Sequence, residues 1–139
     1  GEESLSEAES RGAALFFGET GDCFHCHGTV LFTDHRFHDI GLDAEPARGR
    51  ADVTGDPSDV GAFKTPTLRS VAISGPYFHD GSVATLEDAV RYMASGGKPD
   101  PSKDSLLQPV NLSEREIAQI VAFLRALTSD EPLVRPTVP

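Results

Sequence analysis

The sequence runs to 139 residues, the length of one domain, with a hydrophobic fraction of 38%, no Trp and a single Met. Its 22 acidic against 12 basic residues give a net charge of −10, which argues against nucleic acid or an anionic membrane as the main partner and favours basic or neutral surfaces. No apolar run approaches the roughly 18 residues of a membrane span. The opening "GEESLSEAES" shows no secretory leader and reads as a mature or engineered terminus, with Gly1 a cloning remnant.

In chain order, the first helix is predicted within "SLSEAESRGAALFFG", which begins with Ser and acidic residues and stops at Gly18. Leu5, Ala8, Leu15 and Phe16 are expected to share much of one face, with Gly12 leaving a flat spot. The segment 41–62 is rich in Gly, Pro and Asp and is predicted to be a long loop. "TLEDAVRYMASGG" reads as a helix starting at Thr85, with Asp88 three residues on, and ending at Gly96-Gly97. A second long loop covers 95–111. The clearest helix lies in "LSEREIAQIVAFLRALTS", where Ser113 and Glu116 form a capping box and Ile117, Ile120, Val121, Leu124 and Leu127 step by three or four. Gly12 and Phe16 are expected to cross Phe123 and Leu124 of this last helix. The tail carries three prolines and is expected to be extended over 129–139, leaving a core of about 6–128. Loops longer than about 15 residues are unusual in a compact domain unless something organises them; a large prosthetic group inside the fold would do so.

Both cysteines lie in "GDCFHCHGTV" as Cys23-Phe24-His25-Cys26-His27. This is C-x-x-C-H, the attachment signature of c-type haem. A two-residue gap on a helical turn sets two sulfurs along the porphyrin edge that carries the vinyl groups. The next residue, His27, then falls under the iron as proximal ligand. Zinc would need about four ligands, and only the His35/His38 pair offers a second spacing. A thioredoxin-type dithiol should follow a strand at a helix start, and no strand pattern precedes Cys23. His25 reads as a solvated side chain.

The second axial position has Met93, His25, His35, His38 and His79 as candidates. Met93 is favoured: it is the sole methionine, so the chain does not use Met as filler, and the Gly96-Gly97 turn behind it suits backbone approaching a flat ring. His35 and His38 could instead pair with Asp34 and Asp39 as ordinary loop residues. Lys64, Arg69 and Arg50 are candidate partners for anionic propionates, and Tyr77, Phe78 and His79 for a haem wall or an interface.

"FTDHRFHDIG", "FKTPTLRSVAISGPYFHDGSVATLEDAV" and "LSEREIAQIVAFLRALT", in that order around one C-x-x-C-H, together resemble the C-terminal, high-potential haem domain of the bacterial di-haem cytochrome c peroxidases. The quinone-cofactor-forming di-haem enzymes belong to the same group. The resemblance runs from about Gly12 to Thr128. It implies an all-α, cytochrome c-type fold around one covalent haem c. It also implies a proximal ligand at His27 and a distal methionine at Met93, where the quinone-forming relatives carry tyrosine. It further implies a calcium ion between two haem domains, held here through backbone oxygens of Ser74 and Pro76. The departure is a single haem motif, where the family has two.

Function is therefore expected to be one-electron transfer by a periplasmic c-type cytochrome with a basic redox protein as partner and no catalytic residue of its own. Two alternatives stay open: the electron-input domain of a peroxidase whose other haem domain is missing or on another chain, and a haem sensor in which Met93 dissociates.

Overall fold

A computed structural model of the chain describes residues 4–42 and 47–129. Among these, the elements follow as α1 (Glu7–Phe17), α2 (Phe24–His27), β1 (Phe37–His38), α3 (Ala51–Thr54), β2 (Phe63–Lys64), α4 (Leu86–Ala94) and α5 (Glu114–Ala126), with 3₁₀ turns at Pro57–Asp59 and Val71–Ile73.

The long helices start where their side chains satisfy free amides. Ser6 and Ser113 each accept from the N–H three residues on, while Glu9 and Glu116 reach back to the cap N–H at 2.6 and 2.7 Å. Both are complete capping boxes. Thr85 caps α4 by accepting from the Asp88 N–H at 3.1 Å. Helix α1 crosses α5 at Gly12, where a Cβ would overlap the Gln119 carbonyl oxygen and crowd Phe123. A glycine is what allows the two backbones to approach this closely. Phe16 then packs on Phe123 with ring centroids 5.3 Å apart, and Ile117, Ile120, Val121 and Leu124 complete the buried core with Val71 and Leu86. The expected crossing is thus present. Leu5 and Ala8 differ: Leu5 precedes the cap, and both are exposed.

The all-α expectation needs one amendment. β1 and β2 pair antiparallel, Phe37 opposite Lys64 and His38 opposite Phe63, in an otherwise helix-and-loop fold. Strands of two residues are too short to show an alternating pattern. The predicted loop 41–62 also holds α3 and the turn at Pro57–Asp59. The loop 95–111 has no regular element, yet it is pinned: Lys98 Nζ donates to the Leu42 carbonyl at 2.7 Å, Asp104 N–H to Asp39 at 2.9 Å and Val110 N–H to Ala94 at 2.9 Å. Gly96 and Gly97 both adopt positive φ, but their close neighbours are Pro109 and the Ile40 carbonyl; neither lines the cavity described below. The glycines serve loop-to-loop approach. Most of the proline-containing tail, from residue 130, lies outside the described residues.

Candidate functional site

One helical turn, α2, carries the C-x-x-C-H residues. Cys23 sits at its N-cap and its carbonyl accepts from the His27 N–H at 3.1 Å, so Cys23 and Cys26, three apart, share a face. Cys23, Cys26, His27 and Met93 all line one cavity of about 660 Å³, within the ordinary range for cofactor sites. Its wall is largely apolar and includes Phe16, Val71, Leu86, Ile120 and Leu124 from the core.

His27 is held by a hydrogen bond between Nδ1 and the Phe32 carbonyl at 2.6 Å. A carbonyl only accepts, so Nδ1 carries the hydrogen and Nε2 keeps the lone pair a metal needs. Burial lowers the His27 pKa, against the opposing pull of Phe32 and Asp34, which keeps the ring in its neutral, ligating form. The thiols are free of any disulfide. Burial pushes Cys23 up to about 12, helped by Asp22, and Cys26 up to about 11, helped by Asp34 and Asp104. Reactive dithiols have depressed pKa values, so these two do not resemble a redox pair. Two undissociated thiols, one neutral imidazole and one thioether around an apolar cavity fit a c-type haem, the thiols as attachment points for its edge and the imidazole and thioether as donors to its iron.

Zinc fares worse. Among the described residues, the set of acidic, His and Cys side chains close enough to share an ion is Cys26, Asp34 and His38, three ligands rather than four. The H-x-x-H pair does not converge: His35 is exposed, with Nδ1 3.4 Å from Lys64 Nζ.

The remaining expected residues fall into two groups. Lys64, Ser74, Pro76, Tyr77, Phe78 and His79 line the cavity. His79 stacks on Phe63 at 3.7 Å between centroids and 6° between planes, and Phe78 meets Tyr92 edge-on at 5.1 Å. Arg69 does not line it. Its guanidinium donates twice to the Val30 carbonyl, at 2.8 and 3.2 Å, and lies 5.5 Å from the Phe32 ring, so it braces the loop after α2. Arg50 lies over Phe37 at 4.3 Å and pairs with Asp59 at 3.1 Å, lining a neighbouring groove rather than this cavity. His25 also borders the cavity, but it is exposed and pairs with Asp22 at 2.9 Å. His38 pairs with Asp34, as the sequence suggested, but its other partner is Asp104 rather than Asp39. Phe63 and Asp104 are cavity residues the sequence reading missed; Phe63 adjoins Lys64 in the family-like segment, whereas nothing local marked Asp104.

No family model matches the chain. It is 43% identical over 134 residues to the methylamine utilization protein MauG of Methylorubrum extorquens, covering 94% of this chain and 37% of that protein. Identity to the cytochrome-c peroxidase IdrP1 of Denitromonas iodatirespirans is 34% over 162 residues, covering 94% and 43%. These relatives are members of the di-haem cytochrome c peroxidase family. A crystal structure of a MauG-like protein associated with microbial copper homeostasis superposes with a TM-score of 0.86 at 37% identity, over 94% of this chain and 49% of that one. The chain thus spans less than half the length of these peroxidase-family relatives, the extent of a single haem domain. The likeness supports a haem-based redox role, and the cavity residues fit haem c.

Proposed function

We propose that this chain is a c-type cytochrome domain that transfers one electron through a single haem c. Cys23 and Cys26 would hold the haem by thioether bonds, with His27 and Met93 as axial ligands. The haem supplies a reversible one-electron couple, and His/Met ligation favours a raised potential. The observation that carries this reading is the His27 Nδ1 bond to Phe32, which leaves Nε2 for metal in a cavity that Met93 also lines. Around it the chain's own residues exclude water with an apolar wall. Lys64 brings a positive charge to that wall, suited to a propionate. With a net charge of −10, a basic partner would be steered toward the chain. Maturation of c-type haem supports a periplasmic location; no helix among the described residues is long and apolar enough to cross a membrane.

The relatives support a second reading, in which this domain feeds electrons to a second haem domain that reduces hydrogen peroxide. A calcium ion shared through the Ser74 and Pro76 carbonyls belongs to that arrangement.

Haem stain should follow the protein through denaturing electrophoresis and acid-acetone extraction, and Cys23→Ala with Cys26→Ala should abolish this. Met93→Ala should remove the weak far-red charge-transfer band of ferric His/Met haem and raise peroxide turnover by opening the iron. Release of haem from the unaltered chain, or an unchanged spectrum in Met93→Ala, overturns the ligand assignment. Rapid peroxide turnover by the unaltered chain, with the far-red band intact beforehand, favours the peroxidase reading.

A further inference from the structure

His38 is a titratable side chain of the cavity wall that is held on both sides. Its imidazole is 11% exposed and lies between two carboxylates from distant parts of the chain. Nε2 is 2.8 Å from Asp34 Oδ2, and Nδ1 is 2.5 Å from Asp104 Oδ2. Each carboxylate is fixed at its other oxygen by a backbone amide: Arg36 N–H donates to Asp34 Oδ1 at 2.9 Å and Leu106 N–H to Asp104 Oδ1 at 2.8 Å. Ionised carboxylates only accept, so both ring nitrogens must donate, and a ring with two N–H donors is an imidazolium. Burial alone would lower the His38 pKa, but the bonds to Asp104 and Asp34 outweigh it and raise it. The same bonds help hold both carboxylates below their usual range, against burial.

This charged cluster touches the cofactor seat. His38 and Asp104 line the cavity. A ring nitrogen of His38, a carboxylate oxygen of Asp34 and Cys26 Sγ lie within 4.8 Å of one another, so the imidazolium sits beside the sulfur that would bind the haem edge. β2 sets uncharged Phe63 opposite His38, Lys64 Nζ turns to His35, and His27 is coupled to His38 through space.

We propose that His38 is a redox-linked proton site: this domain takes up a proton with its electron. The inference deepens the electron-transfer reading and rests on it. One electron enters the haem from a one-electron reductant, and one proton enters His38 from solvent to form a single N–H bond; nothing else is made or broken. Added negative charge at the haem favours the imidazolium, so the reduced form holds the proton to higher pH than the oxidised form does. Below both pKa values His38 is charged in either state and the midpoint is flat. Above its oxidised-state pKa, reduction draws in the proton and the midpoint falls as pH rises. With one proton per electron, a tenfold fall in proton activity shifts it by at most ~59 mV. His38 acts on the potential only through this charge, and is not an iron ligand in this scheme.

Spectroelectrochemical titration of the haem-loaded chain from about pH 5 to about pH 9 should show this falling midpoint, and His38→Gln should flatten it while keeping the far-red band. Asp104→Asn should move the bend to lower pH, because the imidazolium loses a counter-charge. Independently of any variant, NMR of the unaltered chain with isotope-labelled histidine should find the His38 ring titrating at higher pH in the reduced form. An equal titration in both redox states, or a slope that survives His38→Gln, overturns the proposal. Failure of the haem to reduce reversibly at any pH overturns the electron-transfer reading and this one together; a reversible but pH-independent midpoint overturns this one alone.

Discussion

At the α1–α5 crossing the buried side chains are Phe16, Ile120, Phe123 and their apolar neighbours, whereas the buried polar side chains among the described residues, Thr33, Asp39 and Thr65, all lie in the loops around the cavity. The crossing is held by shape: a glycine notch, an aromatic in it, and two capped helices that their own sequences start. The loop wall is held by individual side-chain hydrogen bonds, two of them between residues far apart in the chain. Thr33 Oγ1 donates to the Thr65 carbonyl at 2.6 Å, and Asp39 accepts from Ser102 Oγ and from the Gly41 N–H, both at 2.8 Å. Local pattern specifies the first region, while the second exists only once the chain has closed on itself, and it is the second that carries Lys64, His38 and the strained Phe78, whose φ is 67°.

This contrast can be broken at either end. Gly12→Val should have the largest effect, about 3 kcal/mol of stability or outright loss of the folded chain, because a side chain there must displace α5 backbone. Chemical denaturation measures it, and a cost well under about 1 kcal/mol would show that the crossing is loose. Asp39→Ala should cost about 2 kcal/mol by stranding the buried Gly41 N–H and freeing Ser102. Hydrogen exchange should then rise in 95–111 with α1 little changed; equal loosening of α1 would make the two regions one cooperative unit. Thr33→Val, nearly isosteric, should cost about 1.5 kcal/mol through the unmet Thr65 carbonyl and His35 N–H. It should disturb the absorbance of the bound haem more than its stability cost suggests, since Thr65 lines the cavity. Ser113→Ala should have the smallest effect, about 1 kcal/mol from the lost cap, seen as a lower melting temperature with an unaltered spectrum.

The three long helices were legible because capping boxes and a spacing of three or four residues are local signals. The C-x-x-C-H arrangement was legible because a single helical turn sets its geometry. The His38 partners were legible only by half. Asp34 is four residues away in sequence; Asp104 is 66 away, and only the pinned loop 95–111 brings it in. Asp39, the partner suggested by adjacency, follows His38 directly in extended backbone, where neighbouring side chains point to opposite faces. It faces Ser102 instead. Arg69 misled in the same way: composition marked it as a cation near the right motif, but nothing local shows that its guanidinium is spent on the Val30 carbonyl.

Five side chains, Phe16, Val71, Leu86, Ile120 and Leu124, belong at once to the buried core and to the cavity lining. For anyone wishing to retune the redox centre by substitution, these positions offer no independent control: a change in the polarity there is also a change in packing, and the two readouts move together. Variation that leaves the scaffold intact is better sought at the rim, for example at Lys64 and His79, which are exposed yet still border the cavity.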